Sequence, residues 1–204
     1  MTPITRLLAL PALALGLSLA LPAATFADSQ AAIIATSVVE SELPEKKVNT
    51  KGLYITAAES IALLEARDDV ALIDIRSPEE TMFVGYASET DMNIPFKLVD
   101  PAHPFNAKKN AYGMIDNPDF LEDMKSFIAA NDPSAVLIIC RSGARSARAV
   151  DALAEAGVET PAYTVVDGFE GDKSETGQRT VNGWKNVGGD WTYKLRAGLL
   201  PADQ

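Results

Sequence analysis

Ala135-Val136-Leu137-Ile138-Ile139-Cys140-Arg141-Ser142-Gly143-Ala144-Arg145-Ser146 is the stretch that decides the fold. Five consecutive apolar residues read as a strand buried on both faces. A tight turn follows, and a helical pattern of Ala147, Val150, Leu153 and Ala154 begins near Ser146 and ends at Gly157. A strand that delivers a thiol into such a turn surrounds it with unpaired backbone N–H groups, the positive end of a helix dipole and two guanidinium groups. Each of these favours thiolate over thiol, and the thiolate is the nucleophile. Cys140 is the single cysteine of the chain, so no intramolecular disulfide can form. The alternative reading, a buried and inert small hydrophobe, fits poorly with two arginines and a glycine immediately downstream.

The same alternation of strand and helix extends on either side. Leu53-Tyr54-Ile55 reads as a short strand, Thr56-Ala57-Ala58-Glu59 as a capping box, and Ile61, Leu63 and Leu64 as the apolar stripe of a helix ending near Arg67. Residues 70–75 form an apolar run interrupted by Asp74 and followed by Arg76-Ser77-Pro78-Glu79-Glu80. A carboxylate late in a buried strand requires a partner. Arg145 is one candidate. Residues 81–117 are rich in Pro, Gly, Asn and Asp around Asn93-Ile94-Pro95-Phe96 and read as irregular. Asn117-Pro118 then reads as an N-cap with an N1 proline, ahead of a helical face of Phe120, Leu121, Met124, Phe127 and Ile128 closed by Pro133. Residues 163–166 give a last strand before Asp167-Gly168-Phe169-Glu170-Gly171. Together these patterns predict an α/β domain with a central, mostly parallel sheet flanked by helices.

The first 27 residues read as an export signal: Arg6 is the charged n-region, residues 7–21 are apolar but broken by Pro11, Gly16 and Ser18, and Thr25-Phe26-Ala27 is a small-residue cleavage site. An uncleaved anchor is the competing reading, but the apolar stretch is shorter than the roughly 20 residues a spanning helix needs. Without a cysteine near Ala27, lipid attachment at a new N-terminus is not expected. The mature protein is expected to be exported to the periplasm and to have no stable membrane association after cleavage. Removing 27 of 204 residues leaves 177, enough for one sizeable domain. Residues 28–50 read as a loosely attached arm and residues 51–204 as the domain. With Arg6 removed, 17 basic residues face 28 acidic ones, a net charge of −11. Such a surface repels nucleic acid and anionic lipid, and it makes the positive charge beside Cys140 a local exception suited to a small anion.

In order, Leu72-Ile73-Asp74-Ile75-Arg76, Asn93-Ile94-Pro95, Cys140 to Ser146 and Gly168-Phe169-Glu170-Gly171 resemble the signatures of a single-domain rhodanese. The resemblance covers roughly residues 51–190. It implies a central parallel sheet with helices on both sides and a persulfide-forming cysteine. Two departures stand out: Gly85-Tyr86 occupies the place of the family's usual Gly-His, and residues 97–117 look like an insertion.

The expected chemistry is covalent sulfur transfer. Cys140 thiolate attacks the outer sulfur of a small anionic donor such as thiosulfate, sulfite leaves, and the terminal sulfur passes to a thiophilic acceptor. No metal or organic cofactor is required. Arg141 attracts the donor, Arg145 braces the loop, and Ser142, Gly143 and Ala144 complete the substrate-binding loop. Asp74 and Arg76 read as structural support. His103, between Pro101 and Pro104, is the sole histidine and a remote candidate for a dyad with Cys140. A metal site is not expected from one histidine and one cysteine. Trp184 and Trp191 read as packing residues. Two other classes remain: a non-catalytic sulfur-binding or thiol-sensing module serving an exported redox or sulfur-oxidation partner, and a cysteine-dependent phosphatase. The phosphatase architecture has five residues between Cys and Arg. Here Arg141 to Ala144 make four.

Overall fold

A computed structural model of the chain describes residues 34–201. The proposed export signal lies outside the described residues. Strand β1 (Tyr54–Ile55), helix α1 (Ala57–Ala66), β2 (Val70–Asp74), α2 (Pro78–Val84), β3 (Tyr86–Ala87) and β4 (Met92–Asn93) come first. Short strands β5 (Lys97–Val99), β6 (Phe105–Asn106), β7 (Ala111–Tyr112) and β8 (Met114–Asp116) follow. Then come α3 (Phe120–Asn131), β9 (Ala135–Ile139), α4 (Ala144–Glu155), β10 (Ala162–Val165) and β11 (Trp191–Thr192).

Five strands form the central sheet in the order β1-β10-β9-β2-β4, and every pairing is parallel. Side chains alternate across it with period two. Ala71, Ile73, Val136 and Ile138 face α3 and α4, where Met124, Phe127, Val150 and Leu153 cover them. Val70, Leu72, Ala135, Leu137 and Ile139 face the other way, toward Ala57 and Ile61 of α1 and toward Phe169 and Trp184. Burial on both faces is why β9 reads as an unbroken apolar run and β2 as one up to Asp74. Each fully buried Leu or Ile in them contributes about 1.5–3 kcal/mol of transfer free energy.

The capping box at Thr56 and Glu59 forms as expected, with each side chain accepting from the other's backbone N–H. Helix α2 adds an element that the sequence pattern does not predict, and its last turn enters the stretch 81–117 expected to be irregular. Ser77-Pro78-Glu79-Glu80 is a second capping box with proline at N1, and it starts a helix that runs to Val84. Helix α3 starts at Phe120 with Asp119 as its N-cap, so Asn117 and Pro118 form the turn before it rather than its cap. Asn117 instead accepts the Asp119 N–H at 3.2 Å. Helix α4 begins at Ala144, earlier than the apolar pattern indicated.

Residues 97–116 are ordered as an antiparallel ribbon in which β5 pairs with β8 and, nested inside, β6 pairs with β7. It springs from the segment after β4, at the carboxyl end of the sheet. Its strands are two or three residues long, with β5 half-buried and β6, β7 and β8 exposed, so no apolar alternation builds up.

The arm is not loosely attached over its described part. Lys47 is 3% exposed and its Nζ bonds both oxygens of Asp172 at 2.8 Å. The Ile34 N–H donates to the Tyr163 hydroxyl at 2.8 Å, and the Ser37 N–H to Glu59. At the other end, β11 pairs with β3, Trp184 is fully buried with its indole N–H donating to the Asp190 carbonyl, and the Asn93 N–H donates to the Leu199 carbonyl at 2.7 Å. Among the described residues no helix is long and apolar enough to cross a membrane.

Candidate active site

Parallel pairing brings the carboxyl ends of β2, β9 and β10 side by side, with Asp74 in register with Ile139. Cys140 follows β9 at once. Its sulfur accepts the Gly143 N–H at 3.2 Å, and α4 starts one residue later. Gly143 is the N-cap with φ +93°, and a Cβ there would stand 2.2 Å from the Val166 carbonyl oxygen. No other residue type meets both conditions. The thiol therefore lies at a helix N-terminus under a backbone donor, which is the electrostatic setting expected from the sequence. The cysteine is free and 1% exposed.

The segment after β10 forms the second wall of the loop. The Phe169 N–H donates to the Cys140 carbonyl at 2.7 Å, and the Glu170 and Gly171 N–H groups both donate to the Arg141 carbonyl. A Cβ at Gly168 would lie 2.5 Å from the Cys140 oxygen, so the two chains touch backbone to backbone. This contact accounts for Gly168, and a Cβ at Gly171 would meet the Asn182 backbone.

The expected pairing of Asp74 with Arg145 does not form. Asp74 pairs instead with Arg76, two residues on, with Nη2 to Oδ2 at 2.6 Å and the Arg76 N–H to Oδ1 at 2.9 Å. Both residues are fully buried. The Arg76 guanidinium also donates to the Gly85 carbonyl and stacks 4.0 Å above the Phe169 ring, directly beneath the loop wall. Asn93 donates to the carbonyls of Asp74 and Arg76 at 2.8 Å each and ties β4 to the same point. The structural role expected for Asp74 and Arg76 thus has a concrete form.

Arg145 braces the loop through Glu80, a residue the sequence reading did not single out. Its two terminal nitrogens each bond one carboxylate oxygen at 2.6 Å. Glu80 also accepts the Ser77 N–H as part of its capping box. The box is the signal that would have exposed it. Burial alone would raise the Glu80 carboxyl, but the Arg145 hydrogen bonds and charge outweigh it and hold the group below its ordinary value of 4.5. Burial would likewise lower Arg145, and Glu80 reverses this to raise it. The stability from this pair is therefore complete above the unfolded carboxyl value and is lost as pH falls through the lower folded one. Denaturant midpoints measured from pH 7 down to 3 should fall less steeply for Glu80→Gln than for the wild type. Parallel curves would show that the pair adds nothing.

Arg141 is exposed at the loop rim, and Ser142 and Ala144 are half-buried. His103 stands apart in the ribbon, its ring packed edge-on to Tyr112 at 6.0 Å. Among the described residues no group of three or more His, Cys, Asp or Glu is placed to share a metal ion.

The five-stranded parallel sheet is covered on both faces and carries the cysteine loop at its carboxyl end. The chain belongs to the rhodanese family: the rhodanese-like domain matches residues 56–175. Over 97 residues the chain is 33% identical to thiosulfate sulfurtransferase 16, chloroplastic, of Arabidopsis thaliana, covering 48% of this chain and 68% of that protein. It is 27% identical over 140 residues to the uncharacterized protein RP600 of Rickettsia prowazekii (strain Madrid E), covering 68% of this chain and 96% of the relative. The crystal structure of Rv0390 from M. tuberculosis superposes with a TM-score of 0.54 at 29% identity, covering 69% of this chain and 96% of that one. Its α/β fold is that of the family, and the chain falls in the sulfurtransferase superfamily.

Proposed function

We propose that the protein is an exported sulfurtransferase that carries sulfur as a persulfide on Cys140. The observation that supports this most directly is the sulfur itself, seated at the start of α4 and accepting the Gly143 N–H at 3.2 Å. In the first half-reaction the Cys140 thiolate attacks the outer sulfur of thiosulfate. A Cys–S bond to that sulfur forms, the donor's S–S bond breaks, and sulfite departs with the bonding electron pair. In the second, a thiophilic acceptor attacks the terminal sulfur and Cys140 leaves as thiolate. Formal charge and electrons balance without a cofactor. Near-complete burial of Cys140 suits a donor that presents a single terminal sulfur atom.

Intact mass after incubation with thiosulfate tests the reading. The wild type should gain one sulfur atom, which cyanide or a thiol then removes. A mass that never changes, with no turnover of any sulfane donor, would defeat it. The loop of four residues between Cys140 and Arg145 should also leave generic aryl phosphates unhydrolysed, because a ring of amides sized for one sulfur is too tight for phosphate. Cys140-dependent phosphate release with thiosulfate inert would replace the reading with a phosphatase. Arg141→Ala should raise KM for thiosulfate roughly fivefold to tenfold at little cost in kcat, since an exposed guanidinium attracts the donor before chemistry.

Export follows from the leader-like residues 1–27. N-terminal sequencing of material secreted by an expressing cell should begin at Asp28. A chain still beginning at Met1 and released only by detergent would mean an anchor instead.

A further inference from the structure

Four arginines surround the Cys140 loop and they divide into two kinds. Arg76 and Arg145 are neutralised by Asp74 and Glu80. Arg141 and Arg179 have no ion pair with a carboxylate among the described residues. The unspent positive charge of the site therefore resides on these two, in a chain whose net charge is −10.

We propose that Arg179 supplies a second guanidinium at the mouth of the loop and, together with Arg141, binds the oxyanion end of the sulfur donor. The assignment rests on the sulfurtransferase reading above and adds to it a donor-binding residue outside the family-matched segment 56–175. Arg179 lies on a tight reversal in which Lys173 bridges to Arg179 and the Ser174 N–H donates to the Gln178 carbonyl at 2.7 Å. Asn186 fixes the base of this reversal. Its side-chain amide donates to the Asn182 carbonyl at 2.7 Å, the Glu170 carbonyl at 3.0 Å and the Arg179 carbonyl at 3.3 Å.

From that base the Arg179 guanidinium reaches back and donates to the Gly171 carbonyl. The Gly171 N–H in turn donates to the Arg141 carbonyl at 3.3 Å. One residue thus separates the Arg179 head group from the peptide of Arg141. Gly171 itself packs against Asn182, where a Cβ would sit 1.7 Å from the carbonyl oxygen. Burial weakens the hold of Arg179 on its proton, and the charge of Arg141 acts in the same direction. Glu170, Asp172 and Cys140 oppose both. Asp172 is already bound to Lys47 and Asn182. Two neighbouring cations beside the Cys140 loop are poorly matched to each other and well matched to a dianion that reaches Cys140 with its outer atom.

Alkylation of Cys140 separates this proposal from turnover. Iodoacetate and iodoacetamide have the same reacting carbon and differ in charge, so their rate ratio reports the field at the mouth of the loop. In the full chain, Arg179→Ala should lower the iodoacetate-to-iodoacetamide ratio roughly threefold to tenfold, Arg179→Glu further, and Arg179→Lys should keep most of it. KM for thiosulfate should rise by a similar factor in Arg179→Ala with kcat little changed.

An unchanged ratio in Arg179→Ala overturns the proposal. So does an equal slowing of both reagents, which would mean that Arg179 only shapes the loop. The two readings fail separately. A ratio that moves in a protein forming no persulfide keeps the anion site and removes sulfur transfer. Persulfide formation with a fixed ratio does the reverse.

Discussion

Cys140→Ser should reduce sulfur transfer by on the order of 10³-fold or more while leaving the protein folded. The substituted hydroxyl keeps the size of the thiol and can still accept the Gly143 N–H that now reaches sulfur at 3.2 Å. It cannot form the S–S bond on which both half-reactions depend. The loop around it is held by backbone, through the Phe169 and Glu170 N–H groups and the glycine contacts, so it has no need of the sulfur for its shape. Stability should therefore shift by only about 1 kcal/mol. Transfer activity with thiosulfate and cyanide, read beside a denaturant curve, checks both halves. Retained activity in a folded Cys140→Ser protein would mean that no persulfide is involved.

Asp74→Ala should destabilise the protein by about 3–5 kcal/mol, the cost of leaving a buried charge without its partner. Arg76 is fully buried, and without Asp74 its remaining contacts are the Gly85 carbonyl and the face of Phe169. For a domain of this size the melting temperature should fall by roughly 6–20 °C. Replacing both members, Asp74→Leu with Arg76→Met, should recover much of the loss, because paired desolvation is removed along with the pair. Loop chemistry should suffer in the double variant all the same, since the Arg76 guanidinium under Phe169 is part of what sets the height of the loop wall. A loss below about 1 kcal/mol for Asp74→Ala would mean that Arg76 finds water or another acceptor.

The sheet and the cysteine loop were legible because their physics is local. Residues 70–73 and 135–139 are apolar without interruption, as a strand covered on both faces requires, and Gly143 marks the turn where a side chain would strike the Val166 carbonyl. Helix α2 was equally local, and its Ser77-to-Glu80 box matches the one recognised at Thr56. The apolar stripe that marks a helix is missing from its seven residues, so the box stands without the pattern that confirms one. The ribbon at 97–116 was illegible for a different reason. Its residues are mostly exposed, and without a buried face there is no pattern to read. Ion-pair partners lie between these cases. Asp74 and Arg76 share a side of the strand end by their spacing alone. The Glu80–Arg145 pair spans 65 positions and depends on how α2 is placed against α4.

Trp184 and Leu199 have a consequence for the order in which the molecule can be completed. The indole of Trp184 fills one face of the sheet, and the Leu199 carbonyl takes the Asn93 amide at 2.7 Å, yet both residues are synthesised after the whole of the matched segment 56–175. While those late residues are still unmade, Phe169 and Ile139 lack their cover and the amide at the sheet edge lacks its acceptor. A nascent chain with Cys140 and its loop already made is thus still an open structure. Residues 184–199 act as a latch that closes over a sheet whose strands have all been made.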